Sequence, residues 1–210
     1  MAIVEKAART GYHHGDLREA LIRATDDILA DEGLEGFSLR KAARRAGVSP
    51  AAPAHHFGSA AGLLTEVAIL GYEELARQLT DGVPPSATPI GRLKAQAIGY
   101  VRFALEFPGR FQLMFRHELL LPGDGRREAA AEKAWNLLAG TIQALRGRPA
   151  GEPLDAESRA LVIAAWSTVH GFAHLTLDGK FAKYDPPPTR EHILTQILPE
   201  VLAALWPQMR

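Results

Sequence analysis

Between Gly36 and Thr65 the only formal charges are four cations, Arg40, Lys41, Arg44 and Arg45. A short segment free of acids attracts phosphate, and each phosphate contact adds about 0.9 to the slope of log affinity against log salt. Ser49-Pro50-Ala51-Ala52 follows, and residues this small let a helix N-terminus approach base edges in a major groove. A second group, His170 and His174, is spaced four apart and would share one face of a helix. Two histidines make neither a metal site nor a hydrolase. No H-E-x-x-H pattern accompanies them, nor a nucleophile elbow or Gly-rich phosphate loop, and the nearby carboxylate is Asp178.

Composition narrows the classes further. Without cysteine there is no disulfide, thiolate metal site or cysteine nucleophile. Twenty-four basic residues balance 24 acidic ones, so any nucleic-acid affinity must come from a local patch. No uninterrupted apolar run approaches the roughly 18 residues of a membrane span, and Met1–Asp16 lacks the apolar region of a signal peptide. The expectation is a cytoplasmic protein with no membrane association, no cofactor and no metal.

The elements that must position these residues read as helices. Apolar residues recur at three- and four-residue spacing, and strand-type alternation is missing, which predicts an all-α fold of about nine helices. Leu17, Ala20, Leu21, Ala24, Ile28 and Leu29 form the stripe of a first helix that stops at Gly33. Ser38 caps a short second helix that presents Arg40, Lys41, Arg44 and Arg45 outward and closes at Gly47. Ser49 is read as the cap of a third helix with Pro50 in its first position, placing Pro53 fourth. A fourth helix covers 60–80, Asp81–Pro89 is a linker, and further helices fall at 89–107, 108–120, 126–146, 155–178 and 189–206. Pro199 predicts a kink near Gln196–Leu198.

In this order, Gly36-Phe37-Ser38, Leu39-Arg40, Ala43, Ala46-Gly47-Val48-Ser49 and His56-Phe57 reproduce the pattern S-L-R-x-x-A-x-x-A-G-V-S-x-x-x-x-x-x-H-F. Residues 12–66 thereby resemble the N-terminal helix-turn-helix domain of the tetracycline-repressor (TetR) family, leaving 67–210 as a regulatory, ligand-binding and dimerisation domain. The resemblance implies that Ser38 donates to a phosphate and that Arg40 reaches a base edge or phosphate. It puts Ser49, Pro50, Ala51, Ala52, Ala54 and His55 at the base-reading positions and His56 at the backbone, with Lys41, Arg44 and Arg45 adding non-specific attraction. Two positions depart from the pattern: many members have Tyr where Ala54 stands and Lys where Ala60 stands. Tyr12, His13 and His14 precede the first helix and read as an untethered terminus.

A shorter similarity lies further on. Ala164–Gly171 resembles the W-x-x-V-H-G motif of one TetR subgroup, and Phe107–Phe115 its helix five-to-six corner. This implies a homodimer through helices 155–178 and 189–206. An effector cavity needs apolar walls and a few polar anchors. Phe103, Phe107, Phe111, Met114, Phe115, Trp135, Trp166 and Phe172 are candidates for the walls, and His117, Gln143, His170 and His174 for the anchors. The function implied is a repressor that binds a near-palindromic double-stranded operator and is released by a small molecule. The alternative keeps the same fold as a helical sensor or scaffold with weakened DNA affinity.

Overall fold

The computed structural model describes residues 14–149, 151–184 and 186–206, with side chains from Leu17 onward; Tyr12 and His13 lie outside the described residues. Helices α1 (His14–Glu32), α2 (Leu39–Arg45), α3 (Ala52–Phe57) and α4 (Ala60–Thr80) come first. Helices α5 (Pro89–Glu106), α6 (Pro108–Met114), α7 (Gly125–Leu145) and α8 (Ala156–Leu177) follow. At the end α9 (Arg190–His192) runs through a π turn, Ile193–Ile197, into α10 (Leu198–Leu205). No strand occurs among the described residues.

The long helix α4 joins the two halves. It packs against α1 and α3 on one side and α5, α6 and α7 on the other. One continuous core therefore runs from Leu21, Ile28 and Leu29 of α1, through Leu63 and Val67 of α4, to Phe103, Phe111, Leu113 and Met114. Burying each such large side chain contributes about 1.5–3 kcal/mol. The α1–α6 contact is the tightest place in this core. A Cβ on Gly109 would stand 2.7 Å from the backbone of Leu29, so only glycine fits there. Beside it Arg110 Nε donates to Asp26 Oδ1 at 2.7 Å, and its Nη2 donates to the other carboxylate oxygen.

Three local expectations are corrected. The third helix starts at Ala52, not at Ser49 or Pro50: Ser49 O accepts a turn bond from Ala52 N at 3.0 Å, and Ala51 occupies the cap position with no side-chain bond. Starting later places Pro53 in the first turn, where its missing N–H has no helical acceptor to abandon. The helix expected at 108–120 ends at Met114 and resumes as a 3-10 turn at His117–Leu119. Tertiary bonds compete with it there, because Tyr72 Oη donates to Met114 O at 3.0 Å and Leu121 N donates to Thr65 Oγ1 at 2.9 Å. Near Pro199 the chain does not simply bend. Leu198 N reaches back to Ile193 O, and the widened turn resets the register so that Pro199 falls in the first turn of α10.

Candidate functional site

Helix α2 carries its cations on two faces. Lys41 and Arg45 turn toward α1 and pair with Glu32 and Asp31. Arg40 and Arg44, four apart on the other face, are exposed and pair with no described residue. The cationic segment read from the sequence is thus half structural. Ser38 Oγ accepts from Lys41 N at 3.2 Å, capping α2, and its hydroxyl proton remains free to donate elsewhere.

The turn after α2 is a Schellman motif. Val48 N bonds Ala43 O at 3.0 Å and Gly47 N bonds Arg44 O at 3.2 Å, with Gly47 at φ +69° as the motif requires. It projects the next segment outward. Ser49, Pro50, Ala51, Ala54 and His55 are exposed, Ala52 and His56 are half-buried, and Pro53 points inward and is buried. The His56 ring lies 5.2 Å from that of His55 and 6.4 Å from that of Phe57. Arg18 of α1 covers Phe57, with its guanidinium carbon 5.4 Å from the ring centre, which fixes the rear of α3. The arrangement is a slim, small-residue helix held out beside two exposed guanidinium groups that have no ion-pair partner among the described residues.

The second site is a cavity of about 460 Å³ between α4, α5, α7 and α8. Its size suits a drug-like molecule and its wall is mostly apolar. Of the residues expected there, Phe115, Trp135, Trp166 and His117 line it. Phe103, Phe111 and Met114 are fully buried in the core behind it, and Phe107 stacks on Phe103 and beneath Arg110. Gln143 lies elsewhere, its Nε2 donating to Glu152 O at 2.7 Å. His170 and His174 stand behind the wall, 4.7 Å apart and packed on Phe111. Among the described residues no third His, Cys, Asp or Glu joins them in a metal-sized cluster.

Tyr100 connects this pair to the cavity. Its hydroxyl lies 2.8 Å from His170 Nδ1 and accepts from Trp166 Nε1 at 3.2 Å. Burial pushes the Tyr100 hydroxyl well above its ordinary value, and burial, helped by His174, pushes His170 down. Both groups are held neutral. With Trp166 donating to the Tyr100 oxygen, the phenol proton pairs with the imidazole when His170 carries its hydrogen on Nε2. At the other end of the cavity Arg127 Nη1 donates to His117 Nδ1 at 3.1 Å, so Nε2 of that ring carries hydrogen.

Sequence reasoning missed Tyr72, Gln96, Tyr100, Glu132 and Trp206, which all line the cavity. A signal was present on α5. Leu93, Gln96, Ala97 and Tyr100 form one helical stripe, and a glutamine inside an apolar stripe marks a polar group the fold intends to bury.

A head of two short helices beneath a helical, aromatic-lined cavity defines a transcription factor that couples DNA binding to a small molecule. Residues 21–67 match the tetR family of bacterial regulatory proteins, and residues 93–199 match the tetracyclin repressor-like C-terminal domain. The chain belongs to the TetR family and is a DNA-binding transcriptional regulator with a ligand-binding C-terminal domain. Solved structures share its fold. A protein of unknown function from Rhodococcus sp. RHA1 is 27% identical with a TM-score of 0.75, over 95% of this chain and 98% of that one. The TetR family transcriptional regulator PfmR from Thermus thermophilus is 18% identical with a TM-score of 0.62, over 90% and 96%. A transcriptional regulator from Rhodococcus sp. Rha1 is 26% identical with a TM-score of 0.61, over 89% and 96%. No curated protein matches the sequence.

Proposed function

We propose that the chain is a cytoplasmic, ligand-released repressor that grips a near-palindromic operator as a homodimer. The observation that carries this reading is the exposure of Ser49, Pro50, Ala51, Ala54 and His55 beside the exposed Arg40 and Arg44. Residues 12–66 act as the DNA-binding domain, and residues 67–210 as the regulatory and dimerisation domain. Ser49–His55 enters the major groove, Arg40 contacts a base edge or phosphate, and Ser38, Arg44 and His56 contact the backbone. Two copies reach half-sites about 34–36 Å apart. An effector in the cavity favours a conformer whose heads no longer fit that spacing.

The dimer reading draws support from α8. Ala160, Ile163, Ala164, Ser167, Gly171 and Leu175 follow one another at helical spacing on its exposed side, with Ile163 48% and Leu175 47% accessible. Small residues between large apolar ones let two such helices approach closely, and Leu205 of α10 extends the face. By length and composition α8 would also pass for a membrane span. A second copy of the chain would cover this outward apolar surface, and the resemblance of Ala164–Gly171 to the W-x-x-V-H-G motif supports assigning the chain to that subgroup.

In a fluorescence anisotropy titration at low salt, the protein binds DNA from its own upstream region, and Arg40→Ala weakens binding at least tenfold. The second reading, a sensor with reduced DNA affinity, is favoured by the consumption of Lys41 and Arg45 in ion pairs and by Ala54 and Ala60 at contact positions. It predicts no selective binding to any upstream fragment, with ligand-dependent thermal stabilisation retained.

A further inference from the structure

The effector cavity lacks a donor where one is needed. Gln96 lines it and is only 4% exposed. Its Nε2 donates to Leu137 O at 3.2 Å, which fixes the orientation of the amide, because flipping it would set two carbonyl oxygens against each other. Its Oε1 is therefore the atom left over, and it is buried with no hydrogen-bond partner in the protein. An apolar side chain of the same shape would avoid the cost of desolvating that oxygen, so nothing in the packing calls for glutamine here. One turn along α5, Tyr100 lines the same cavity, but its oxygen is already engaged by Trp166 Nε1 and His170 Nδ1. The formal charge in the lining is the carboxylate of Glu132, an acceptor as well. Among the described side chains lining the cavity, the buried polar atom left without a partner is an acceptor, Gln96 Oε1.

We infer that the effector is an apolar, ring-sized molecule carrying an O–H or N–H donor, and that Gln96 Oε1 is the acceptor that selects for it. The inference rests on the reading of this cavity as the effector site. It adds a specificity residue. A guest without a donor would leave Oε1 unpaired, whereas one with a donor gives that oxygen the partner the protein does not supply.

The test pairs molecules that differ only in the donor: 2-naphthol with 2-methoxynaphthalene, indole with 1-methylindole, and 4-phenylphenol with its methyl ether. Isothermal titration calorimetry on the full-length protein is expected to show the donor-bearing member of each binding pair about tenfold tighter than its methylated twin. In Gln96→Leu the gap closes, while the thermal midpoint of the ligand-free variant stays level or rises, because an unpaired buried acceptor has been removed. Gln96→Met serves as a second variant of similar length should the branched side chain fold poorly. Methylated and parent compounds binding equally to the unmodified protein would overturn the donor assignment alone. If no member of any pair binds, the cavity itself is misread as an effector site. A Gln96→Leu protein that loses stability yet still discriminates within the pairs would make Gln96 a packing residue and overturn the inference.

Discussion

The reading head and the effector cavity solve opposite problems with the same kind of helix. The head must expose its chemistry, so Ser49, Pro50, Ala51, Ala54 and His55 are accessible and the surrounding structure holds them from behind through Pro53, Phe57 and Arg18. The cavity must hide its chemistry, so Tyr100 and Gln96 are positioned in its wall by hydrogen bonds, Tyr100 to His170 behind it and Gln96 to Leu137. Substitutions in the first region should therefore change affinity without changing stability. In the second region the two are entangled.

The largest break in that contrast is expected at Phe111, which is fully buried and packs on Tyr100, Phe115, His170 and His174. Phe111→Ala should cost about 3–5 kcal/mol in urea unfolding and abolish effector response with it. Ala51→Glu is its mirror image. It places an anion where phosphate must approach, and DNA binding measured by anisotropy should collapse while the unfolding free energy moves by less than about 0.5 kcal/mol.

A finer distinction lies within α2. Arg44→Ala should lower the salt slope of DNA binding by about 0.9 with stability unchanged. Lys41→Ala should leave the slope nearly untouched and cost no more than about 1 kcal/mol, the ordinary worth of a partly exposed pair such as Lys41–Glu32.

The smallest effect concerns pH. Burial depresses His170 in the folded protein, while the unfolded chain binds that proton near the ordinary value of about 6.5. Stability is then independent of this group above neutral pH and falls as pH drops through about 6.5 toward the folded value. His170→Gln should flatten that part of a thermal-midpoint profile between about pH 7 and 5.

The two regions also differed in how well they could be read from residues alone. The head was legible because its devices are local: a Ser cap, a Gly at a left-handed turn, and helical spacing of four cations. Even so, the pairing of Lys41 and Arg45 with Glu32 and Asp31 was hidden, since it depends on how α1 crosses α2. The start of α3 was misplaced because a serine followed by a proline imitates a helix cap, whereas Pro53 decides the register. In the cavity the aromatic residues advertised themselves equally whether they became wall, as Trp135 and Trp166 did, or core, as Phe103 and Phe111 did. Periodicity identifies the inward face of a helix but not what stands opposite. Tyr72, Gln96 and Tyr100 entered the site through α4 and α5, whose packing no local pattern specifies.

The contact of Gly109 with the Leu29 backbone has a mechanical consequence. Two helices meeting main chain to main chain, with a forked arginine clasp alongside, leave no compressible side chain to absorb a push. A displacement of α6 is therefore expected to be passed to α1 at that seam rather than absorbed there.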